Sequence, residues 1–240
     1  MLTLPASLGP VKSTDTPSGE PSRLVLASAS PARLRTLRAA GLDPEVIVSG
    51  VDEDEVVARY GVSAAEDVVL VLARAKAEDV AAVLPSPPDC LVLGCDSVLE
   101  LDGEVMGKPS DPDDARRRWH RMSGRSGVLH TGHWLVQTAL GGGCVGAVAS
   151  TTVHFAEVSE QEIEAYVASG EPLAVAGAFT VDGLGAAFVR GIDGDHHNVV
   201  GVSVPVVREL AAELGISWPS LWAGTGPAAR GDAGRTAANG

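Results

Sequence analysis

The chain has 240 residues, 45% of them hydrophobic and 20% charged, enough to bury a full core and too apolar for a disordered protein, so one globular domain of at most two lobes is expected. A formal net charge of −13 excludes broad nucleic-acid binding, which draws on many Lys and Arg contacts to phosphate, yet allows a small anionic substrate where cations gather locally. No apolar run reaches the roughly 18 residues of a membrane span, residues 1–22 show no positive segment followed by an apolar one, and Cys90, Cys95 and Cys144 lack metal-ligand spacing; a cytoplasmic protein with reduced thiols, no membrane and no stable nucleic-acid partner is the expectation.

Residues 1–22, rich in Pro, Ser, Thr and Gly, read as a disordered tail, and so does the Gly- and Ala-rich stretch 217–240, with the folded body at 23–216. Either Trp218 or Trp222 could fold back onto that body, but solvation is the simpler expectation. Arg23 to Ala27 reads as a buried strand, Ser28 to Pro31 as a loop, and Ala32 to Ala40 as a helix stopped by Gly41. A strand at Glu45 to Ser49 leads into an acidic loop, Asp52 to Glu55. Ser63 and Glu66 have capping-box spacing for a long helix ending near Leu84, before Pro85, Pro87 and Pro88. Leu91 to Leu101 and Glu104 to Met106 form a hairpin about Asp102-Gly103, a dipeptide suited to tight turns. Ser110 and Pro112 open a helix that closes near Gly124. Long strands at Val128 to Leu140 and Val145 to Val158 flank the Gly141 to Gly143 turn. A second capping box, Ser159 and Glu162, starts a helix ending at Gly170. Short strands around Phe179 and Ala187 precede a last helix, Pro205 to Leu214. Crossover units mixed with hairpins predict an α/β fold with a mixed sheet flanked by helices.

Several segments have residue types suited to phosphate chemistry. Ser28, Ser30 and Arg33 surround a strand-to-helix junction, where free backbone N–H groups, two hydroxyls and a guanidinium suit an anion; an ordinary N-cap followed by Pro31 accounts for the same residues. Asp96 ends an apolar run, where open α/β sheets expose their ligand crevice, although a turn-stabilising Asp is an equal alternative. Only Lys12, Lys76 and Lys108 are lysines in a chain whose other cations are all Arg. Lys108 sits in a Gly-Lys-Pro loop and Lys76 in a helical run, each either a point charge for phosphate or a solvated residue. Asp52 and Glu53 belong to an acidic stretch that can bind Mg²⁺ through one or two carboxylates or can simply be solvated. No G-x-x-x-x-G-K-[ST] or G-x-S-x-G occurs, which removes the P-loop and nucleophile-elbow readings. His130 and His133 face opposite sides of a strand and cannot share a metal, and His196 and His197 read as surface residues.

Taken in order, these segments resemble the Maf family of nucleotide pyrophosphatases over about Leu24 to Leu214. The resemblance rests on Leu26 to Arg33, Val51 to Glu53, Ala75 to Ala77, Gly94 to Ser97, Gly107 to Pro109, Ser123-Gly124, Thr131-Gly132, Glu162, Ile163, Tyr166, Gly170 to Pro172, Ala176-Gly177, Asn198 and Val200-Gly201. It implies a two-lobed fold like that of inosine triphosphatases with a central cleft, frequently a homodimer, that hydrolyses nucleoside triphosphates to the monophosphate and pyrophosphate, and it leaves open whether modified nucleotides are the substrates. It further implies that Asp96 is the proton acceptor, that Ser30, Arg33, Lys76 and Lys108 line the phosphate site with Ser28 beside them, and that Asp52 or Glu53 adds an acidic group. Mg²⁺ or Mn²⁺ is the expected cofactor. The chain departs from the family's best-known subgroups at Ala32, Ser97 and Asp182, positions that distinguish substrates, so base preference stays open. The family name is tied to septum formation, which leaves a nucleotide-sensing regulator of division with little hydrolysis as the alternative.

Overall fold

The computed structural model describes residues 23–84 and 90–223; the expected tail at 1–22, the prolines of 85–88 and the stretch beyond 223 lie outside the described residues. Strands β1 (Arg23–Leu26), β2 (Glu45–Val46), β3 (Cys90–Leu101), β4 (Glu104–Met106), β5 (Ser126–Gln137), β6 (Cys144–Phe155) and β7 (Val189–Asp193) form one sheet. Its order is β2-β1-β3-β5-β6-β7, with β4 paired to β3. β1 runs parallel to both β2 and β3, and the remaining pairs are antiparallel, so the expected mixed sheet is what forms. The hairpin after β3 turns on Asp102 (φ 56°) and Gly103 (φ 77°), the left-handed pair that matches the twist of its strands.

Among the described residues seven α-helices flank the sheet: α1 (Pro31–Ala39), α2 (Glu53–Tyr60), α3 (Ala65–Val83), α4 (Pro112–Met122), α5 (Glu160–Ala168), α6 (His196–Val200) and α7 (Val204–Glu213). α3 lies directly on β3 and β5. A Cβ added at Gly94 would stand 2.1 Å from the Ala73 carbonyl oxygen, and one at Gly132 2.1 Å from that of Val69; only glycine lets helix backbone come so close to strand backbone.

The opposite face of the sheet carries two separate cores. Leu91, Leu93 and Cys95 of β3 are buried with Leu26, Leu37 of α1 and Val207, Leu210 and Ala211 of α7. Further along the same strand, Leu99 and Leu101 are buried with Trp119 and Met122 of α4 and Ile163, Tyr166 and Val167 of α5. Trp119 anchors the second core through edge-to-face contacts with Phe155, Tyr166 and Phe188 and donates its indole N–H to the Ala178 carbonyl at 2.8 Å. Polar Ser97 falls between the two sets on β3 and separates the two cores.

Four expectations need correction. The acidic stretch is a helix start and not a loop: Asp52 caps α2 by accepting from the Glu55 N–H at 3.0 Å, and Glu53, Asp54 and Glu55 suit the positive end of the helix dipole. Ser63 does not cap α3, whose N-cap is Ala64 without a side-chain bond; the Glu66 carboxylate accepts from Ser150 instead. No strand forms around Phe179, and the short strand expected around Ala187 begins later, at Val189, as β7. Residues 171–188 pass through 3₁₀ turns at Glu171–Ala174, Ala176–Ala178 and Leu184–Phe188, and the Glu171 carboxylate holds the start of the last turn by accepting from the Leu184 and Gly185 N–H groups, both at 3.0 Å. Finally, the body continues past 216. Trp218–Leu221 form another 3₁₀ turn, Trp218 and Leu221 pack on the first core, and the Ala223 N–H donates to the Gly41 carbonyl at 2.7 Å, so apolar burial wins over solvation there.

Smaller shifts follow the same capping logic. Asp111 and not Ser110 caps α4, accepting from the Asp114 N–H at 2.7 Å. β2 keeps only two residues, since beyond Ile47 the backbone turns to α3, where Gly50 donates to Asp79. The capping box of Ser159 and Glu162 is present in full. α6, capped by Asp195, is too short for periodicity to announce it.

Candidate active site

β1 pairs with β3 up to Leu93, and β4 pairs with it from Leu99. Between them, residues 94–98 of β3 have no strand on that edge among the described residues. Both flanking connections turn at this opening: the Ser28–Ser30 loop leaves β1, and the Gly107–Pro109 loop leaves β4. Asp96 sits in the gap, 8% exposed.

Its carboxylate faces α3. Lys76, itself 9% exposed, donates to Asp96 Oδ1 at 2.5 Å and reaches Glu53 Oε1 at 2.7 Å. The seating of α3 on Gly94 and Gly132 is what brings a long lysine stem to this depth with its ammonium between two acids. Burial raises the Asp96 carboxyl above its ordinary value, the Lys76 and Arg33 charges pull it partly back, and Glu53 pushes it up again. The acidic neighbour is therefore the lesser cause of the raised value and desolvation the main one.

Arg33 stands on the other face of the same edge. Its Nε donates to the Gly201 carbonyl at 2.7 Å, one terminal nitrogen to Ser28 Oγ at 3.0 Å and the Cys95 carbonyl at 2.9 Å, and the other to Ser97 Oγ at 3.0 Å. The Cys95 carbonyl would have gone to a strand had β1 continued, so the guanidinium stands in for the missing ladder. Ser97 also bonds Thr131 Oγ1 at 2.9 Å, Thr131 donates to the Asn198 carbonyl at 3.2 Å, and the Asn198 amide nitrogen donates to the carbonyls of Leu129 and Ala149. This chain locks α1, α6, β3 and β5 together. With four of its five N–H groups committed, Arg33 is built first to position the edge.

The structure places the other sequence candidates as follows. Ser30 Oγ caps α1, accepting from the Arg33 N–H, and Ser28 Oγ accepts from the Ser30 N–H and Arg33. Asp52 is spent as a cap, whereas Glu53 joins the Lys76 cluster. Lys108 is exposed and makes no ion pair among the described residues, while its loop is tied down through the Gly107 carbonyl by Arg118 at 2.6 Å and by the Gly177 N–H at 3.0 Å. Ala32 is half-buried on α1, Ser97 is turned inward to Arg33, and Asp182 pairs with Arg35 at 3.0 Å, which joins the 3₁₀ region to α1.

Roles for Thr131, Gly132, Asn198, Gly201 and Glu171 were missed because each acts through backbone or through another side chain. The Glu171 carboxylate is a hub, also accepting from Tyr166 Oη at 3.0 Å and Thr180 Oγ1 at 2.5 Å. His133 and His130 do lie on opposite faces: His133 Nε2 accepts from the Ser203 N–H of the α7 cap at 2.8 Å, while His130 faces Glu66 of α3. Burial, then the Arg33 charge, depress His133 to about 4. Burial lifts the Cys95 thiol to about 11, which removes it as a nucleophile.

No three His, Cys, Asp or Glu side chains among the described residues converge as a metal cage, and no described helix is long and apolar enough to cross a membrane. Asp96 and Glu53, held by one lysine, are two neighbouring carboxylates of the type that could hold Mg²⁺ where substrate phosphates supply the remaining ligands.

Compared with known proteins, residues 23–214 match the family described as Maf-like protein. A protein of Salinispora tropica named nucleoside triphosphate pyrophosphatase is 57% identical over 204 residues, covering 84% of this chain and 88% of its own. One of the same name from Streptomyces avermitilis is 57% identical over 200 residues, covering 83% and 94%. Among solved structures, a nucleoside-triphosphatase (dITP/XTP pyrophosphatase) of Mycobacterium abscessus aligns with 63% of this chain and 97% of its own at 16% identity and a TM-score of 0.32, a likeness too slight to bear on function.

Proposed function

Because the chain belongs to the Maf family, which its residues 23–214 match, we propose that it is a nucleoside triphosphate pyrophosphatase, an enzyme that hydrolyses nucleoside triphosphates to the monophosphate and pyrophosphate. The observation that carries this reading is the buried Lys76–Asp96 pair with Glu53 beside it, set in the open edge of β3.

Among the described residues Lys76 is the hydrogen-bonding partner of the Asp96 carboxylate, and Oδ2 is left to hold a water. Asp96 takes a proton from that water as its oxygen bonds the α-phosphorus; the bond from the α-phosphorus to the bridging oxygen breaks, and pyrophosphate leaves with that oxygen. The raised Asp96 value suits this task, since a base nearer to neutrality accepts a proton more readily than an ordinary Asp. Lys76 and Lys108 offset the charge on the phosphates, and Arg33 fixes the edge on which they are held. A divalent cation, Mg²⁺ or Mn²⁺, would be held by Asp96 and Glu53 and would supply neutralisation of the triphosphate.

Ala32, Ser97 and Asp182 are the positions we assign to base choice, with modified nucleotides among the candidate substrates; a base that bonded Asp182 would compete with Arg35. The same reading makes the enzyme a cytoplasmic homodimer, which sedimentation tests.

The decisive assay separates pyrophosphate from phosphate release over a panel of canonical and modified nucleoside triphosphates, with wild type beside Asp96→Asn. Loss of the base should lower kcat by about 10²- to 10⁴-fold while the denaturation midpoint stays near wild type. Release of inorganic phosphate would place the attack on another phosphorus, and nucleotide binding without turnover in either protein would favour a sensor acting on septum formation.

A further inference from the structure

We propose that His130 and Glu100 form a binding site for a divalent transition-metal ion, separate from the Asp96 edge and independent of the pyrophosphatase reading. His130 lies on β5 opposite Val98, and Glu100 lies two residues further along β3, so the two side chains are diagonal neighbours on one face of the sheet. The His130 side chain is more than nine-tenths buried. It forms the floor of a cavity of about 410 Å³ to which Glu66, Glu100 and Val105 also contribute.

The tautomer follows from the neighbours. The Ser150 hydroxyl donates to Glu66 Oε1 at 3.4 Å, so its oxygen, 2.9 Å from His130 Nδ1, receives the Nδ1 proton. With a single ring proton, placed on Nδ1, the lone pair is on Nε2. Among the described residues Nε2 has no hydrogen-bond partner, and it stands 3.4 Å from Glu100 Oε2, an acceptor facing an acceptor. A cation between them turns this repulsion into coordination. The spacing is the one it needs: two ligand atoms each about 2.0–2.2 Å from a tetrahedral ion lie roughly 3.3–3.5 Å apart.

The outer contacts also fit. A ligating imidazole commonly passes its second N–H towards a carboxylate, which fixes ring orientation, and here Nδ1 does so through Ser150 to Glu66. Among the described residues no third His, Cys, Asp or Glu converges with the pair, so solvent in the cavity completes the shell. One imidazole with one carboxylate selects Zn²⁺, Co²⁺ or Mn²⁺ over Mg²⁺. The bound ion ties β3 to β5, and through Ser150 and Glu66 it ties both to α3, the helix that carries Lys76.

The full chain, stripped of metal by chelation and without nucleotide, is titrated with Co²⁺ while its visible spectrum is followed and with Zn²⁺ by calorimetry and thermal unfolding. In Asp96→Asn, which removes a ligand of the cation site proposed above, one equivalent should bind, with the absorption of a low-symmetry Co²⁺ site and a Zn²⁺-dependent rise in Tm. In that background Glu100→Gln, at a partly exposed position that tolerates the change, should weaken Zn²⁺ binding by about tenfold or more and abolish the Tm rise; His130→Gln should do the same. Binding should persist in Asp96→Asn and Cys144→Ser. Absence of binding, persistence of the signal in Glu100→Gln, or its loss in Asp96→Asn or Cys144→Ser would overturn the proposal.

Discussion

Replacing Gly94 by alanine tests how the site is assembled without touching any group assigned to the chemistry. The new Cβ would lie 2.1 Å from the Ala73 carbonyl oxygen and 2.9 Å from the Ala77 nitrogen. Both are backbone atoms of α3, so no side chain can swing aside. Restoring an ordinary contact of roughly 3.4 Å means lifting the middle of α3 from β3 by about 1.3 Å. Lys76 stands on that stretch of helix, and its 2.5 Å bond to Asp96 Oδ1 would open beyond hydrogen-bonding range. Overpacking of this kind costs about 1–3 kcal/mol, and a displacement of about 1 Å in a catalytic group costs on the order of 10²-fold in rate. Urea denaturation and kcat/KM for pyrophosphate release would therefore both fall in Gly94→Ala, with the rate falling further than fraction folded explains. Gly132→Ala, whose Cβ meets the Val69 carbonyl on the same helix, should repeat the result. Wild-type stability and turnover in both variants would refute the account of α3 as the element that sets Lys76 against Asp96.

Other expected outcomes follow from single groups. Arg33→Lys keeps the charge but reaches at most one or two of the four acceptors now served, so it should cost about 2–3 kcal/mol in denaturation; unchanged stability with a raised KM alone would make Arg33 a phosphate ligand and not a positioning residue. Since burial raises the Asp96 carboxyl and the base must be ionised, the acid limb of kcat/KM should lie above the ordinary Asp value near 3.9; a limb at or below it would move the base elsewhere. For His133 the folded value of about 4 lies below the ordinary 6.5, so the unfolded chain binds the proton more readily. Its contribution is complete above pH 6.5 and is lost as pH falls towards 4, about 3 kcal/mol in all. Denaturation midpoints across that window should show the loss, and His133→Gln, which can still accept from the Ser203 N–H, should flatten it.

Much of the molecule was legible from local rules. The Asp102-Gly103 hairpin, the Ser159–Glu162 capping box and the two long strands about Gly141 to Gly143 depend on residues within a few positions of one another. The misreadings have local competitors as their cause. The charge of Asp52 to Glu55 suggested a solvated loop, yet the same acids serve the N-terminus of α2, and the strand-like surroundings of Phe179 and Ala187 sit in or beside 3₁₀ turns. Of the site, Asp96, Lys76 and Lys108 were legible as chemistry-bearing types, and Gly94 and Gly132 as part of an ordered pattern without a role.

By itself the sequence determined the alternation of strands and helices, the mixed sheet, and which carboxylate and lysines deserved notice, because hydrophobic periodicity, caps and turn residues act over short distances. Tertiary structure alone decided that Glu53, rather than Asp52, meets Lys76 and that Arg33 is largely spent on holding an interrupted strand edge. It also decided that His130 faces an acid across a cavity. Those pairings join residues distant along the chain, and they are set by how closely α3 can approach two glycines and by where β1 stops and β4 begins, distances that no local pattern encodes.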